Sequence, residues 1–452
     1  MKKSSWWNLL RAIGFLIVFV IVFNFVQLHF GVSDPRSYET EIGYLKEKPD
    51  SLDAVYIGGS DVFEFYQPLF GWSEYGIAVW TYANYSAPTL AIKHYLIEAH
   101  KTQPNALFII SLNAFRRSSA TTSSAWIHHS VDYLPASLNK YQMIKTLTDN
   151  MDTEATLDEK LQYYLPIIRF HSRWNELQPW VFDAAETDYK SSRISNKFLR
   201  QVTDISKSYI KSDKRLDPPA DVQAAFTDLL DYCDEHQLNV LFISTPQCAT
   251  QKSIGYMNSY IDMAEARGYP CLDLLNNVDL LGFDMRTEFY NETHTNVHGS
   301  LKYSHYLGRY LIDHYGFSDK RGLPEWRSWD QAADQYNEKR AYQVLDFELN
   351  HSERADIDAP RLVRSTVKGQ TISIEWEPVE GAEGYVIYRK SGVPWKQIKT
   401  VDAKTTTFTN TKLYASLKYT YTVVPYRTVN GEKQYGRFDV QGISKTTGGA
   451  AK

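Results

Sequence analysis

Three cysteines in 452 residues, at positions 233, 248 and 271, are too few and too unevenly matched for a disulfide framework. Cys248 and Cys271 each sit near the end of an expected strand, so one pairing stays open beside the favoured reading of buried free thiols. Their spacing fits no metal centre, and no motif for a cofactor includes them. Long runs of one charge are also lacking. The formal net charge is -4, and no stretch of Lys and Arg is interleaved with aromatics, which excludes nucleic acid as an expected partner. Internal repeats and low-complexity tracts are absent, so a solenoid is not expected.

What is present is the composition of folded protein, 43% hydrophobic and 23% charged, in a chain longer than one core usually supports. Two domains are therefore expected. Aromatics reach 14%, with 32 tyrosines and 11 tryptophans, a supply that suits flat polar ligands such as sugars and ordinary cores alike. Residues 12–30, AIGFLIVFVIVFNFVQLHF, carry no formal charge and are close to the ~20 apolar residues that cross a bilayer as a helix. Lys2, Lys3 and Arg11 precede this run and Trp6 and Trp7 flank it, which places the short N-terminus inside and the rest of the chain outside. Gly31 to Ser33 resembles a signal-peptidase site, but the apolar run exceeds the usual ~7 to 15 residues of a signal core. The expectation is an uncleaved single-pass anchor over 1–31.

From Ala54 onward, buried runs alternate with amphipathic ones, as in an α/β domain over 32–357. Strands are expected at 54–57, 105–112 and 238–244, and a short one at 270–274; helices are expected at 89–101, 220–236, 255–267 and 297–315. The apolar runs do not alternate, so the sheet should be parallel and covered on both faces. Residues 114–216 break this rhythm as an aromatic-rich insertion of the kind that shapes a pocket, and 320–357 reads as a helical tail and linker. Beyond residue 358 the period becomes two, which predicts an antiparallel sandwich to about residue 447. Trp376, the run GYVIYR and Tyr419 in this order resemble a fibronectin type III module, with Trp376 filling the core and Tyr419 as its tyrosine corner.

VYIGGSDVFEF, residues 55–65, ends a strand on Gly-Gly-Ser, a way to lift the Ser60 hydroxyl clear of the backbone. Alone this is also an ordinary strand-to-helix turn with Ser60 as cap. Far downstream, FYNETHTNVHGS places His294 just before the last helix of the domain, over the same sheet edge. An early serine turn and a late histidine in this order resemble the SGNH, or GDSL-like, hydrolases. That resemblance implies a flavodoxin-like three-layer sandwich with Ser60 as nucleophile and His294 as base. It also implies oxyanion donors from Ser86, which stands in the glycine place within ANYSA, and from Asn113. HTNVHG is similar to the form in membrane-linked relatives that assist D-alanylation of teichoic acids or O-acetylation of exopolysaccharides.

Asn291 stands where that family carries the aspartate of its Asp-x-x-His block. An amide holds an imidazole without stabilising its cation, so Glu288 is expected to orient the ring, ahead of Asp284 and of Asn291 itself; a degenerate site is the remaining alternative. Asp61 is expected to be a solvated turn residue or helix-terminus charge. In the insertion, His171, Arg173 and Trp174 offer a cation beside an aromatic plane for a phosphate or a sugar, or else brace their loop. Adjacent His128 and His129 do not converge on one ion, so no metal is expected. The resemblance implies a membrane-anchored, outward-facing O-acyl esterase or acyltransferase acting on a cell-surface glycan or teichoic-acid-like polymer. A polytopic membrane acyltransferase is the implied partner and no cofactor is implied. A catalytically silent polysaccharide-binding or scaffold protein is the alternative.

Overall fold

The computed structural model describes residues 3–30, 35–170, 189–193, 201–349, 355–390, 395–439 and 441–448. The chain forms two compact units, one of Met1–Arg193 with Val202–Ala333 and one of Ile194–Gln201 with Asp334–Lys452.

The first unit opens on α1 (Lys3–Phe30), whose stretch Trp6–Val26 is long and apolar enough for a single membrane span or a signal sequence. α2 (Pro35–Lys46) follows. β1 (Ala54–Gly58) leads directly into α3 (Ser60–Phe65) and α4 (Pro68–Tyr75), then β2 (Val79–Ala83), α5 (Ala91–Thr102) and β3 (Leu107–Ser111). The expected insertion holds α6 (Ser124–Val131), α7 (Leu138–Asp149), α8 (Leu157–Tyr164) and α9 (Pro166–Phe170). His171, Arg173 and Trp174 lie outside the described residues. The α/β rhythm then resumes with α10 (Ala220–Glu235), β4 (Val240–Ser244), α11 (Gln251–Ala266) and β5 (Cys271–Asp273). A small hairpin of β6 (Phe289–Asn291) and β7 (His294–Thr295) precedes α12 (Val297–Tyr315). The three cysteines are free thiols.

β1 to β5 form one parallel sheet in the order β2-β1-β3-β4-β5. All five residues of each of β1, β2, β3 and β4 are buried, because alternate side chains enter helix layers on opposite faces. Ile109, Leu241 and Ile243 join Val62 and Phe65 of α3 and Tyr303, Leu307 and Leu311 of α12 in one core. On the other face Phe242 meets Phe226 of α10 at 5.5 Å, and Phe226 meets Tyr260 of α11 at 4.8 Å between ring centroids. The strand order reverses direction between β1 and β3, and in open α/β sheets the crevice at that reversal, beyond the carboxyl ends, is where ligands bind.

α13 (Arg327–Leu349) begins in the first unit, where Trp329 is buried against Trp72, and from Asp334 it belongs to the second. This corrects the expected linker, since the helix from Asp334 groups with the sandwich. The sandwich pairs a three-stranded sheet of β8 (Leu362–Lys368), β9 (Thr371–Trp376) and β12 (Thr407–Asn410) with a second sheet. The second sheet contains β10 (Gly384–Lys390), β11 (Lys396–Asp402), β13 (Lys418–Val429), β14 (Glu432–Tyr435) and β15 (Ile443–Thr446). Trp376 lies in its core beside Tyr385, and the Tyr419 hydroxyl accepts from the Tyr414 N–H at 3.0 Å. Val386 and Tyr388 of β10 and Val424 of β13 point the other way and are covered by Ala341 and Leu345 of α13.

Candidate active site

The turn from β1 to α3 is shaped by Gly58, where an added Cβ would sit 2.6 Å from Val62 and 2.8 Å from Ser111. A side chain there would push β3 from β1, so glycine is required by close approach. Ser60 is consequently the first residue of α3, immediately beyond the carboxyl end of β1. Asp61 is not solvated, contrary to expectation: it is buried and its Oδ2 accepts from Ser111 Oγ at 2.5 Å and Thr245 Oγ1 at 3.3 Å. Asn113 donates its backbone N–H to Ser111 Oγ at 3.2 Å and its side-chain amide to Thr245 Oγ1 at 2.5 Å. A closed ring of hydrogen bonds thus ties the Ser60 turn to the ends of β3 and β4. Burial pushes the Asp61 carboxyl up, against the hydrogen bond from Ser111 and the nearby Arg116, both of which favour its charged form.

His294 arrives from the hairpin, where β6 and β7 pair Asn291 directly with His294. Its flanks are pinned: Thr295 Oγ1 donates to the Glu64 carbonyl of α3 at 2.8 Å, and Asn296 caps α12 by accepting from the His298 and Gly299 N–H groups. The result is a distance of 2.8 Å between Ser60 Oγ and His294 Nε2, across 234 residues of sequence.

Behind the ring, His294 Nδ1 lies 3.1 Å from Asn291 Oδ1 and 3.0 Å from Thr293 Oγ1. The Thr293 N–H donates to the same Asn291 Oδ1 at 2.9 Å, which fixes that atom as the oxygen of the amide. An acceptor facing Nδ1 selects the Nδ1–H tautomer, leaving the Nε2 lone pair to accept from the Ser60 hydroxyl. The expectation that Glu288 orients the ring is therefore corrected. Glu288 instead accepts from the Asp284 N–H at 3.0 Å and pairs with Lys302 at 2.7 Å. Asp284 is engaged with Arg286, also away from the ring. Without a carboxylate partner, desolvation, and after it the positive charges of Arg193 and Arg116, lower the His294 pKa to about 4.

Tyr290 escaped the sequence reading. Its ring stacks on His294 at 5.5 Å and 10°, and its hydroxyl faces Glu64, which is paired with buried Arg193. The aromatic beside the histidine in FYNETH was its only sequence signal.

Ser60 and His294 open on a cavity of about 540 Å³ whose wall also includes Ser86 and Asn113. Ser86 has φ +51°, a left-handed backbone conformation that favours glycine. Asn113 gives one amide hydrogen to Thr245 and accepts the Thr245 N–H at 3.1 Å, so at most one hydrogen remains for a ligand. The structure therefore sets Asn113 first as a brace between β3 and β4, not as the free donor expected.

No family model and no curated protein matches the chain. Among solved structures it is similar to a β-1,2-glucanase from Parabacteroides distasonis at 19% identity and TM-score 0.18, over 22% of this chain and 14% of that one. It is similar to the fn3 domain of human contactin 1 at 19% identity and TM-score 0.19, over 22% of this chain and 87% of that one. The structure of FN3tt mut gives 20% identity and TM-score 0.17, over 21% of this chain and 97% of that one. The chain thus spans about a seventh of the glucanase it resembles, and each likeness is confined to about a fifth of this chain.

Proposed function

We propose that the first unit is an SGNH-like serine O-acyl esterase or acyltransferase. The observation that carries this reading is the 2.8 Å contact between Ser60 Oγ and His294 Nε2 at the wall of a cavity beside the strand-order reversal. The strand order β2-β1-β3-β4-β5 supports a flavodoxin-like sandwich, and the positive φ of Ser86 supports the glycine place implied by the resemblance. The Trp376 core and the Tyr414–Tyr419 hydrogen bond support a fibronectin type III-like second unit.

Ser60 Oγ attacks the acyl carbon of an ester while its proton passes to His294 Nε2. The carbonyl becomes a tetrahedral oxyanion facing the backbone N–H groups of Ser60 and Ser86, each such donor contributing about 3 kcal/mol to the barrier reduction. His294 returns the proton to the departing alcohol, leaving an acyl-Ser60. Water or a sugar hydroxyl, deprotonated by the same nitrogen, then takes the acyl group and frees Ser60. Asn291 holds the ring but supplies no charge, so the imidazolium is stabilised less than in a triad with aspartate. The substrate is an acylated cell-surface glycan or teichoic-acid-like polymer. In the transfer direction a polytopic membrane acyltransferase delivers the acyl group to this anchored, outward-facing unit.

The amide at Asn291 also favours a second reading, a silent domain that binds or scaffolds polysaccharide. Acetyl release from p-nitrophenyl acetate and from an O-acetylated glycan separates the two. Ser60→Ala and His294→Ala should each lower kcat by ~10³-fold or more, with the double variant hardly worse. Release that is unchanged in Ser60→Ala leaves only the binding reading.

A further inference from the structure

The acyl chemistry uses one wall of the cavity and leaves the rest of its lining unexplained. Arg116, Arg117, Lys252 and Gln247 stand there together. Arg117 is already committed: its guanidinium stacks on Trp126 at 4.4 Å and donates to the Ala87 carbonyl at 3.2 Å. Arg116 differs. It is half-buried, its pKa is lowered by burial, and among the described residues no hydrogen bond or ion pair reaches its guanidinium. Gln247 is 2% exposed, and its Nε2 makes no hydrogen bond. Lys252, in the first turn of α11, is exposed and lies over the Tyr256 ring at 5.7 Å without an ion-pair partner among the described residues.

Of the side chains lining the cavity, only Asp61 is acidic; its Oδ2 is occupied by Ser111 and Thr245, and its charge acts on Arg116 without a hydrogen bond between them. The site therefore carries net positive charge, with Arg116, Arg117 and Lys252 against one acidic side chain, and it holds unused donors on Arg116 and Gln247. Leaving the buried Gln247 amide N–H unpaired costs stability, about 1–3 kcal/mol for an unsatisfied buried donor, and the partly desolvated Arg116 guanidinium has no hydrogen-bond partner beside it. A ligand oxyanion satisfies both, since a guanidinium matches carboxylate and phosphate oxygens in a planar fork.

We propose that Arg116 and Gln247, with Lys252 beside them, form a subsite for an anionic oxygen group, phosphate ester or carboxylate, borne by the molecule that gives or receives the acyl group at Ser60. Its place in the reaction rests on the proposed esterase or transferase reading; its binding of an anion does not. The subsite makes the enzyme selective for acidic polymers, either phosphodiester-linked or built from uronic acids, over neutral glycans.

The test is calorimetric titration of the full chain in detergent, in the Ser60→Ala background, with glycerol 3-phosphate, glucuronate and neutral glycerol as probes. Binding of at least one anion and none of glycerol is expected, and the tighter anion identifies the source of the charge. Arg116→Gln should weaken that binding by ~10-fold or more at a melting temperature no lower than that of the parent chain. Should Arg116→Gln fail to fold, Lys252→Gln replaces it, with an expected ~3-fold weakening that vanishes at high salt. Equal binding of anions and glycerol, no binding at all, or anion affinity unchanged in a folded variant overturns the subsite. Wild-type chain that binds anions but releases no acyl group sinks the reaction and leaves the subsite standing.

Discussion

β1 to β4 of the first unit and the central strands β10 and β13 of the sandwich are buried on two faces, yet the two regions differ in what their strand ends do with polar groups. In the sandwich, hydroxyls turn back onto nearby backbone: Tyr385 accepts from the Val379 N–H at 2.8 Å and Tyr419 from the Tyr414 N–H at 3.0 Å. These bonds close loops and satisfy the backbone. Beyond the carboxyl ends of β1, β3 and β4, Ser60 instead reaches a histidine from a distant hairpin, and Arg116 and Gln247 hold donors that nothing in the described chain uses. Polarity of the first kind is explained by folding. Polarity of the second kind is not explained by folding, because an unused buried donor weakens the fold it sits in, and it suits a ligand.

The largest effect should come from altering the group behind His294. Replacing aspartate by asparagine in a serine-protease triad costs ~10⁴ in kcat, so Asn291→Asp should raise kcat by roughly 10²-fold on a model acetyl ester. Glu288→Gln, which removes a charge paired with Lys302 away from the ring, should change kcat by less than about twofold while lowering the melting temperature. The opposite ranking in steady-state kinetics would return the orienting role to Glu288.

A smaller effect concerns pH. With its pKa lowered to about 4, His294 remains an unprotonated base down to that pH, so the acid limb of kcat/KM should lie near 4 rather than near the ordinary 6.5. The unfolded chain takes up this proton first as pH falls from about 6.5, so stability from this group is greatest above that pH and declines toward 4. Asn291→Asp adds a negative charge behind the ring and should move the acid limb upward. A limb near 6.5 in the unaltered chain would contradict the desolvated, cation-flanked ring.

The smallest effect sharpens the boundary between the two regions. The sandwich expressed from Asp334 keeps Ala341 and Leu345 over Val386, Tyr388 and Val424, whereas from Pro360 it exposes that face. Burying an apolar side chain contributes about 1.5–3 kcal/mol, so the shorter fragment should melt lower by roughly 10 °C or aggregate. Equal melting temperatures would make the α13 cover dispensable.

How much of this was legible follows from the length of each signal. β1, β3 and β4 are unbroken apolar runs, and α12 carries both a cap at Asn296 and an amphipathic stripe, so strands and final helix were readable. Ser60 and His294 were readable because each stands at the mouth of such an element. The hairpin of β6 and β7 has only three and two residues, too short for any period, so nothing marked the register that sets Asn291 opposite His294, and chemical expectation ranked the carboxylate of Glu288 ahead of it. α3 is six residues long with five of them buried, so Asp61 looked like a surface charge. α13 runs without a break from Trp329, buried in one unit, to Leu345, buried in the other, and nothing in a continuous helix marks the change of partner.

The central claim is that Ser60 is a nucleophile activated by His294, and the most direct measurement is labelling with a fluorophosphonate followed by peptide mass spectrometry. The account predicts one phosphonylated residue, Ser60, in the unaltered chain, and labelling slowed by ~10²-fold or more in His294→Ala at unchanged melting temperature. An unmodified Ser60, or labelling at the same rate without His294, would contradict it.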